Sequence, residues 1–272
     1  MTPAWDELDR RGFLVVPGFL DEESRQLLAA DFARGAPPTA YPYGFKLIGR
    51  AILAHVWPRI SALLAELRAA GRHATDVLSP LAQSHYITTG LVERTLVWHQ
   101  DVDLDYTLTG DHVGSLNFWI PVLKPERERS NLCLVPFDEL ARRCPGETAA
   151  LVGSGARRFF VEEGRTRVVR LDDDGPRDER TLAVSLEELA VTPALDAGDL
   201  LLVRGDVIHR TQDDATERLA ASIRATASHK LARRDRWHGT GPATLRRCFA
   251  GLEGDAISVR RLVEFIDGER RD

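Results

Sequence analysis

This sequence predicts a mainly β chain with flanking helices, and three observations carry the prediction. Short apolar or alternating runs, bounded by Gly, Pro, Asp or Asn, recur from Leu81 to Ala225. Helix-like segments precede them, and a helix-like tail follows. Many short strands after N-terminal helices fit an antiparallel double-stranded β-helix, a cupin-like jelly roll. One domain is expected, with helices over about residues 1–80, a jelly-roll core over about 81–228 and a helical extension over about 229–272.

Composition bounds the function. The chain has 272 residues, 43% hydrophobic and 28% charged, which is ample for a large core. A net charge of -5 argues against a nucleic-acid binder and fits a small-molecule enzyme. Cys133, Cys144 and Cys248 form no C-x-x-C, so reduced thiols are expected rather than a disulfide framework. The start, Met1 to Glu7, shows no basic region followed by an apolar core. No apolar run approaches the ~20 residues of a membrane span. A cytoplasmic protein with no membrane partner is expected.

Trp5 to Arg10 reads as a short helix. Gly12 to Leu20 is apolar and partly β-branched, and meets Pro17-Gly18, which predicts a strand and a turn. Asp21 is the expected N-cap of an amphipathic helix, with Glu22 and Glu23 in its first turn and Leu27, Leu28 and Phe32 behind. Ser24 stands where a reciprocal capping box needs Glu or Gln. Gly35 to Tyr43 reads as loop. Pro58 is expected to open a helix that runs to Ala70. Lys46, Arg50 and His55 read as solvated basic residues.

Strands are expected over Gln83–Thr89, Arg94–Trp98, Gly114–Val122 and Leu132–Val135. Arg157–Glu162 and Arg165–Leu171 bracket Glu163-Gly164, a hairpin signal. Asp172 to Pro176 is a solvated acidic turn, since no calcium-loop ligands follow it. Asp196-Ala197-Gly198-Asp199 feeds a buried strand ending at Val203, and Gly205 breaks it. Arg218–Ala225 is the next strand. The tail from Pro242 reads as helical, with Leu262, Val263, Phe265 and Ile266 as its last apolar group.

Two features carry chemistry. Trp98-His99-Gln100-Asp101 offers an imidazole and a carboxylate two residues apart. At a strand end such residues share a side, roughly 6–7 Å apart at Cα. With His209 they make two histidines and one carboxylate, the facial set that leaves positions open on a non-haem Fe(II). A His-x-Asp alone is common as a solvated pair, so its surroundings decide. The second feature is the strand after His209. Arg218, Ala220, Ser222 and Arg224 alternate with Leu219, Ala221, Ile223 and Ala225. One face is small and polar with a guanidinium at each end, which fits the wall of a polar cavity or an edge strand in solvent. Arginine is a bidentate partner for a carboxylate. No Gly-x-Ser-x-Gly elbow suggests a serine hydrolase. His85 is out of phase with Tyr86 and is expected to face away from the site; His112, His229 and His238 are not expected as ligands.

Four segments, in order, resemble the phytanoyl-CoA dioxygenase-like family of Fe(II)/2-oxoglutarate oxygenases. They are Gly12 to Leu20 with Asp21-Glu22-Glu23, then His99-Gln100-Asp101, then Asn117 to Pro121 with Ser130 to Pro136, and finally Gly198-Asp199-Leu200 through His209 and Arg218. The resemblance covers roughly residues 8 to 226. It implies Fe(II) held by His99, Asp101 and His209, with 2-oxoglutarate and O2 as co-substrates. Arg218 sits slightly nearer the distal histidine than the family's arginine does, so Arg224 is the alternative partner of the 2-oxoglutarate carboxylate. Tyr86 and Thr88 are expected to touch the co-substrate. Trp98, Gln100, Asn117 and Trp119 are expected around the pocket. The segment after Asn131 ends in Pro136-Phe137-Asp138-Glu139, without the family's Gly-Ser/Thr-His ending, which leaves substrate specificity open. Asp101 is present, so halogenation is disfavoured. The implied reaction is hydroxylation of an unactivated C–H bond of a small metabolite, an amino acid or a secondary-metabolite intermediate, with release of succinate and CO2. The alternatives are a non-catalytic jelly-roll binding or sensing protein, and a metal-dependent cupin enzyme not using 2-oxoglutarate.

Overall fold

The strand with the sharpest two-sided pattern, Arg218–Thr226, lies inside a seven-stranded antiparallel sheet. The computed structural model describes residues 5–34, 46–81, 83–89, 97–101, 104–110, 112, 114–155, 157–170, 180–237 and 243–268. The first elements are α1 (Trp5–Arg11), β1 (Phe13–Val16), α2 (Glu22–Ala33), β2 (Lys46–Leu47), α3 (Arg50–Ala69), β3 (Val77–Leu78) and β4 (His85–Thr89). Then come α4 (Leu104–Thr109), β5 (Ser115–Leu123), β6 (Leu132–Leu134), α5 (Phe137–Arg143), α6 (Pro145–Leu151), β7 (Arg157–Glu162), β8 (Arg165–Arg170) and β9 (Arg180–Leu182). The chain closes with α7 (Leu186–Leu189), β10 (Leu200–Arg204), β11 (His209–Thr211), β12 (Arg218–Thr226), β13 (Leu231–Arg233), α8 (Ala243–Ala250), β14 (Ala256–Ser258) and α9 (Val259–Gly268).

The main sheet runs β1-β10-β5-β12-β4-β2, and β3 also pairs with β12. The smaller sheet is made of β11-β6 and β7-β8-β9, joined through His99, which bridges His209 on one side and Arg158 on the other. The apolar side of β12, from Leu219 to Ala225, packs with Leu28, Ile52, Val56, Ile60 and Leu64 of α2 and α3. The space between the two sheets is filled at one end by Phe13, Trp119, Leu134, Leu201 and Ala220. Outside the smaller sheet, Trp98, Val135, Leu140, Phe159, Val168 and Leu186 form another core under α5–α7. The layers are therefore helix, sheet, sheet, helix. This is the jelly roll that the strand pattern predicts.

Local rules explain the ends. The Asp21 carboxylate accepts from the Ser24 backbone N–H at 2.9 Å and caps α2 as expected. Two expectations are corrected. The third helix starts at Arg50, not Pro58, because Ile52, Val56, Ile60, Leu63, Leu64 and Leu67 form one buried stripe through the proline. Burial along that stripe outweighs the single N–H that proline lacks. The tail is not purely helical: β14 pairs with β13, Ile257 opposite Ala232, between α8 and α9. The expected loop over 35–43, residues 94–96 of the expected strand, the acidic turn over 172–176 and His238 lie outside the described residues. No described helix is long and apolar enough to cross a membrane.

Candidate metal centre

Alternation along residues 98–101 sorts four side chains to two sides. Trp98 and Gln100 point into the protein behind the smaller sheet. The Trp98 indole N–H donates to Glu187 Oε1 at 2.8 Å, with the Arg210 guanidinium 5.0 Å from its ring centre. The fully buried Gln100 amide donates to the carbonyls of Leu151 and Asp206, both at 2.7 Å. His99 and Asp101 face the opposite way. His99 and His209 exchange both backbone hydrogen bonds, each 2.9 Å, so their side chains emerge together.

His99, Asp101 and His209 each offer one ligand atom within 4.8 Å of the others. The imidazole centres are 4.3 Å apart, and His209 Nε2 lies 3.9 Å from Asp101 Oδ1. Each Nδ1 is 2.9 Å from a carbonyl two residues earlier, Val97 for His99 and Val207 for His209. A carbonyl only accepts, so Nδ1 carries the proton and Nε2 keeps its lone pair for a cation. Burial, with His209 beside it, holds His99 down to about 4, so its ring is neutral near pH 7. Burial by itself raises the Asp101 carboxyl, but Arg224 and the two histidines outweigh it and hold it well below the usual carboxylate range. Two imidazoles and one carboxylate on one side suit a first-row divalent metal with open positions.

The two candidate arginines are not equivalent. Arg224 Nη1 donates to Asp101 Oδ2 and orients that carboxylate. Arg218 is 2% exposed, and none of its three guanidinium nitrogens has a hydrogen-bond partner among the described residues. Its guanidinium lies 5.0 Å from the Trp119 ring centre. Burial pushes Arg218 down to about 9, against the opposing pull of Asp213. Asn117 and Trp119 share this face through their pairing with Arg224 and Ser222, and the Ser222 hydroxyl donates to Asn117 Oδ1 at 2.9 Å. The polar face of β12 is thus buried on an internal strand, not an edge in solvent.

Four expected site residues lie elsewhere. Tyr86 and Thr88 pair with Ala221 and Leu219, whose side chains face the helices, and paired residues share a face. The Tyr86 hydroxyl donates to Asp31 Oδ2 at 2.8 Å, on that helix side. The members of β4 that share the Arg218 side are His85, Ile87 and Thr89, so His85 does not face away. Trp98 and Gln100 lie behind the smaller sheet rather than around the pocket, Trp98 in the outer core and Gln100 tied to the Leu151 and Asp206 carbonyls. One supporting residue was missed. His112, not expected as a ligand, donates from Nε2 to the Asp101 carbonyl at 2.8 Å and stacks on Tyr106 with centres 5.0 Å apart. Gly155 and Gly205 flank it so closely that a methyl at either would overlap the ring. Gly205 was its one sequence signal, and that glycine reads equally well as a strand end.

No protein-family model matches this sequence, and no curated protein sequence does. Solved structures do match. SnoK, a non-heme alpha ketoglutarate dependent carbocyclase from nogalamycin biosynthesis, superposes with a TM-score of 0.56 at 16% identity, over 94% of this chain and 95% of its own. The chain has its fold. SnoN, a non-heme alpha ketoglutarate dependent epimerase from the same biosynthesis, matches with a TM-score of 0.53 at 17% identity, over 88% of this chain and 89% of its own. At these identities the likeness establishes the jelly-roll architecture, and the chemistry is argued from the residues.

Proposed function

We propose that this chain is an Fe(II)- and 2-oxoglutarate-dependent oxygenase of the phytanoyl-CoA dioxygenase-like kind. Its substrate is a small metabolite, an amino acid or an intermediate of secondary metabolism. The observation that carries the reading is Arg218: a buried guanidinium without a hydrogen-bond partner among the described residues, on the inner face of β12, the strand whose Arg224 reaches Asp101. A buried charge without a partner costs several kcal/mol, so a site that keeps one is built for an anion. The alpha ketoglutarate dependence of SnoK and SnoN supports the same reading.

His99, Asp101 and His209 would hold the iron, and Arg218 would pair with the distal carboxylate of 2-oxoglutarate. Bound iron, 2-oxoglutarate and O2 would supply the oxidant for C–H cleavage, with succinate and CO2 released. Val97 and Val207 carbonyls hold the two imidazoles in the Nδ1–H tautomer. Arg224 keeps Asp101 ionised and fixes its orientation. Gln100 and His112 brace the backbone from behind. The apolar packing of Trp119, Leu134 and Leu201 excludes water from that end of the site.

Hydroxylation is the proposed outcome. Because the fold also serves an epimerase and a carbocyclase, product analysis belongs to the test. The first experiment adds Fe(II) and then 2-oxoglutarate to anaerobic apoprotein and records the visible spectrum. A charge-transfer band lost in His99→Ala and weakened in Arg218→Ala is expected. Metal binding without that band overturns 2-oxoglutarate dependence and favours a cupin enzyme of another kind. No metal binding favours a non-catalytic binding protein.

A further inference from the structure

One charged side chain beside the triad has no task in this scheme. Across the smaller sheet, the paired residues run Leu134, His209, His99, Arg158, Val169. Paired residues share a face, so Arg158 stands next to His99 on the metal side. Gln100 N–H donates to the Arg157 carbonyl at 3.0 Å and Phe159 N–H to the Trp98 carbonyl at 2.9 Å, which makes His99 and Arg158 a non-hydrogen-bonded pair. Such pairs are the closer kind, with Cα atoms about 4.5 Å apart. Two residues on, Phe160 shares the face, and the Arg167 guanidinium lies 4.6 Å from its ring centre. All three side chains are half-buried. Arg167 has Glu162 at 3.4 Å, whereas Arg158 has no carboxylate or hydrogen-bond partner among the described residues.

We infer that Arg158 binds an anionic group of the substrate, a carboxylate or phosphate, and that Phe160 packs against the part of the substrate next to that group. The inference rests on the oxygenase reading of the same site. Its electrostatics are simple. Asp101 is already matched by Arg224, and 2-oxoglutarate would match Arg218. That leaves the Arg158 guanidinium beside a divalent cation, a repulsion that an anion between them removes. The planar fork of arginine also fixes the orientation of a carboxylate or phosphate, which places the neighbouring carbons reproducibly against the metal. The residues lie on regular strands of the smaller sheet, which holds their positions relative to His99.

The test uses protein loaded with Mn(II), with and without saturating 2-oxoglutarate, and three probes: phenylacetate, phenyl phosphate and neutral phenylacetamide. Broadening of the probe's proton NMR lines by the paramagnetic metal reports binding near it, without turnover. At least one anion should be broadened and the amide should not; the tighter anion tells carboxylate from phosphate. Arg158→Gln should weaken anion binding roughly tenfold, the value of one charge-assisted hydrogen bond. Arg158→Lys, which keeps the charge, should keep most of it. 2-Oxoglutarate binding, measured separately, should be unchanged in both variants. Its absence from the wild type would sink the oxygenase reading, while the runs without 2-oxoglutarate still decide the role of Arg158. No anion binding in the wild type, or equal binding in Arg158→Gln, overturns the proposal. Should Arg158→Gln not fold, anion binding to the wild type that does not weaken with added KCl overturns it equally.

Discussion

His99 and His209 lie far apart in the sequence, yet each donates its backbone N–H to the other's carbonyl at 2.9 Å. The pairing places both imidazoles on one side of the smaller sheet, and Asp101, two residues along, joins them. The clustering of the three candidate ligands is thus a property of sheet pairing, and the pairing does not need the side chains. His99→Ala and His209→Ala should each abolish metal binding in a calorimetric Ni(II) titration. The loss should exceed the roughly 10- to 100-fold seen when only a supporting partner is removed. The melting temperature of the metal-free protein should change little.

Arg218→Leu should act in opposite directions on binding and on stability. 2-Oxoglutarate binding should fall strongly because its carboxylate partner is gone. The ligand-free protein should become more stable by about 1–3 kcal/mol, because an unpaired buried charge is replaced by an apolar side chain. Urea unfolding without ligand checks the second effect, and a destabilised variant would show that Arg218 is held by more than the stacking on Trp119.

Gln100 touches no ligand atom but ties the metal segment to two backbones. Gln100→Ala leaves the Leu151 and Asp206 carbonyls without this donor. A stability loss of about 1–3 kcal/mol is expected. Metal affinity should fall by roughly 10- to 100-fold, as for other supporting partners. Chemical unfolding and metal titration of the same preparation separate the two.

His73 gives a pH signature away from the metal. Its Nδ1 lies 2.6 Å from the Thr75 hydroxyl oxygen, and that hydroxyl donates to the Gly114 carbonyl at 2.8 Å, so Nδ1 is the donor in the first contact. Burial, with Arg204 nearby, lowers His73 from 6.5 to about 4. Between those values the unfolded chain binds a proton that the folded chain does not, so stability falls as pH falls through that window. In His73→Asn the melting temperature should depend less steeply on pH from 6.5 down to about 4.

Lys230 and Asp105 form a buried pair, with Nζ 3.6 Å from Oδ1 and side chains 7% and 2% exposed. Lys230 also donates to the Ser115 hydroxyl at 3.1 Å, and that hydroxyl donates to Asp105 Oδ2 at 3.0 Å. Lys230→Met should cost about 3–5 kcal/mol, since it takes this ammonium away from a buried carboxylate. The double variant Lys230→Met with Asp105→Leu should recover much of that loss. Equal stabilities of the single and double variants in denaturant would contradict the pairing.

What was legible in the sequence was local. The alternation in Arg218–Ala225 is a property of one strand, and both of its faces came out as read. His99-x-Asp101 needs only one short segment to put two ligands on one side. The cap at Asp21 and the hairpin at Glu163-Gly164 are likewise complete within a few residues. The His85–Thr89 stretch offers no such contrast between its faces, so nothing local corrects the phase that places Tyr86 and Thr88 at the site. Pairing with Ala221 sets it and turns the phenol toward Asp31.

The sequence by itself determined the strand-rich class, the polar and apolar sides of β12 and the identity of the two histidines and one carboxylate. The tertiary structure alone decided that Arg224 meets Asp101 while Arg218 finds no hydrogen-bond partner among the described residues, that helix α3 continues through Pro58, and that His112 sits behind Asp101. The physical reason is the range of the interactions. Alternation and capping act within one element, whereas the partner of a buried charge is chosen by where distant strands cross, and no pattern within a single strand records that.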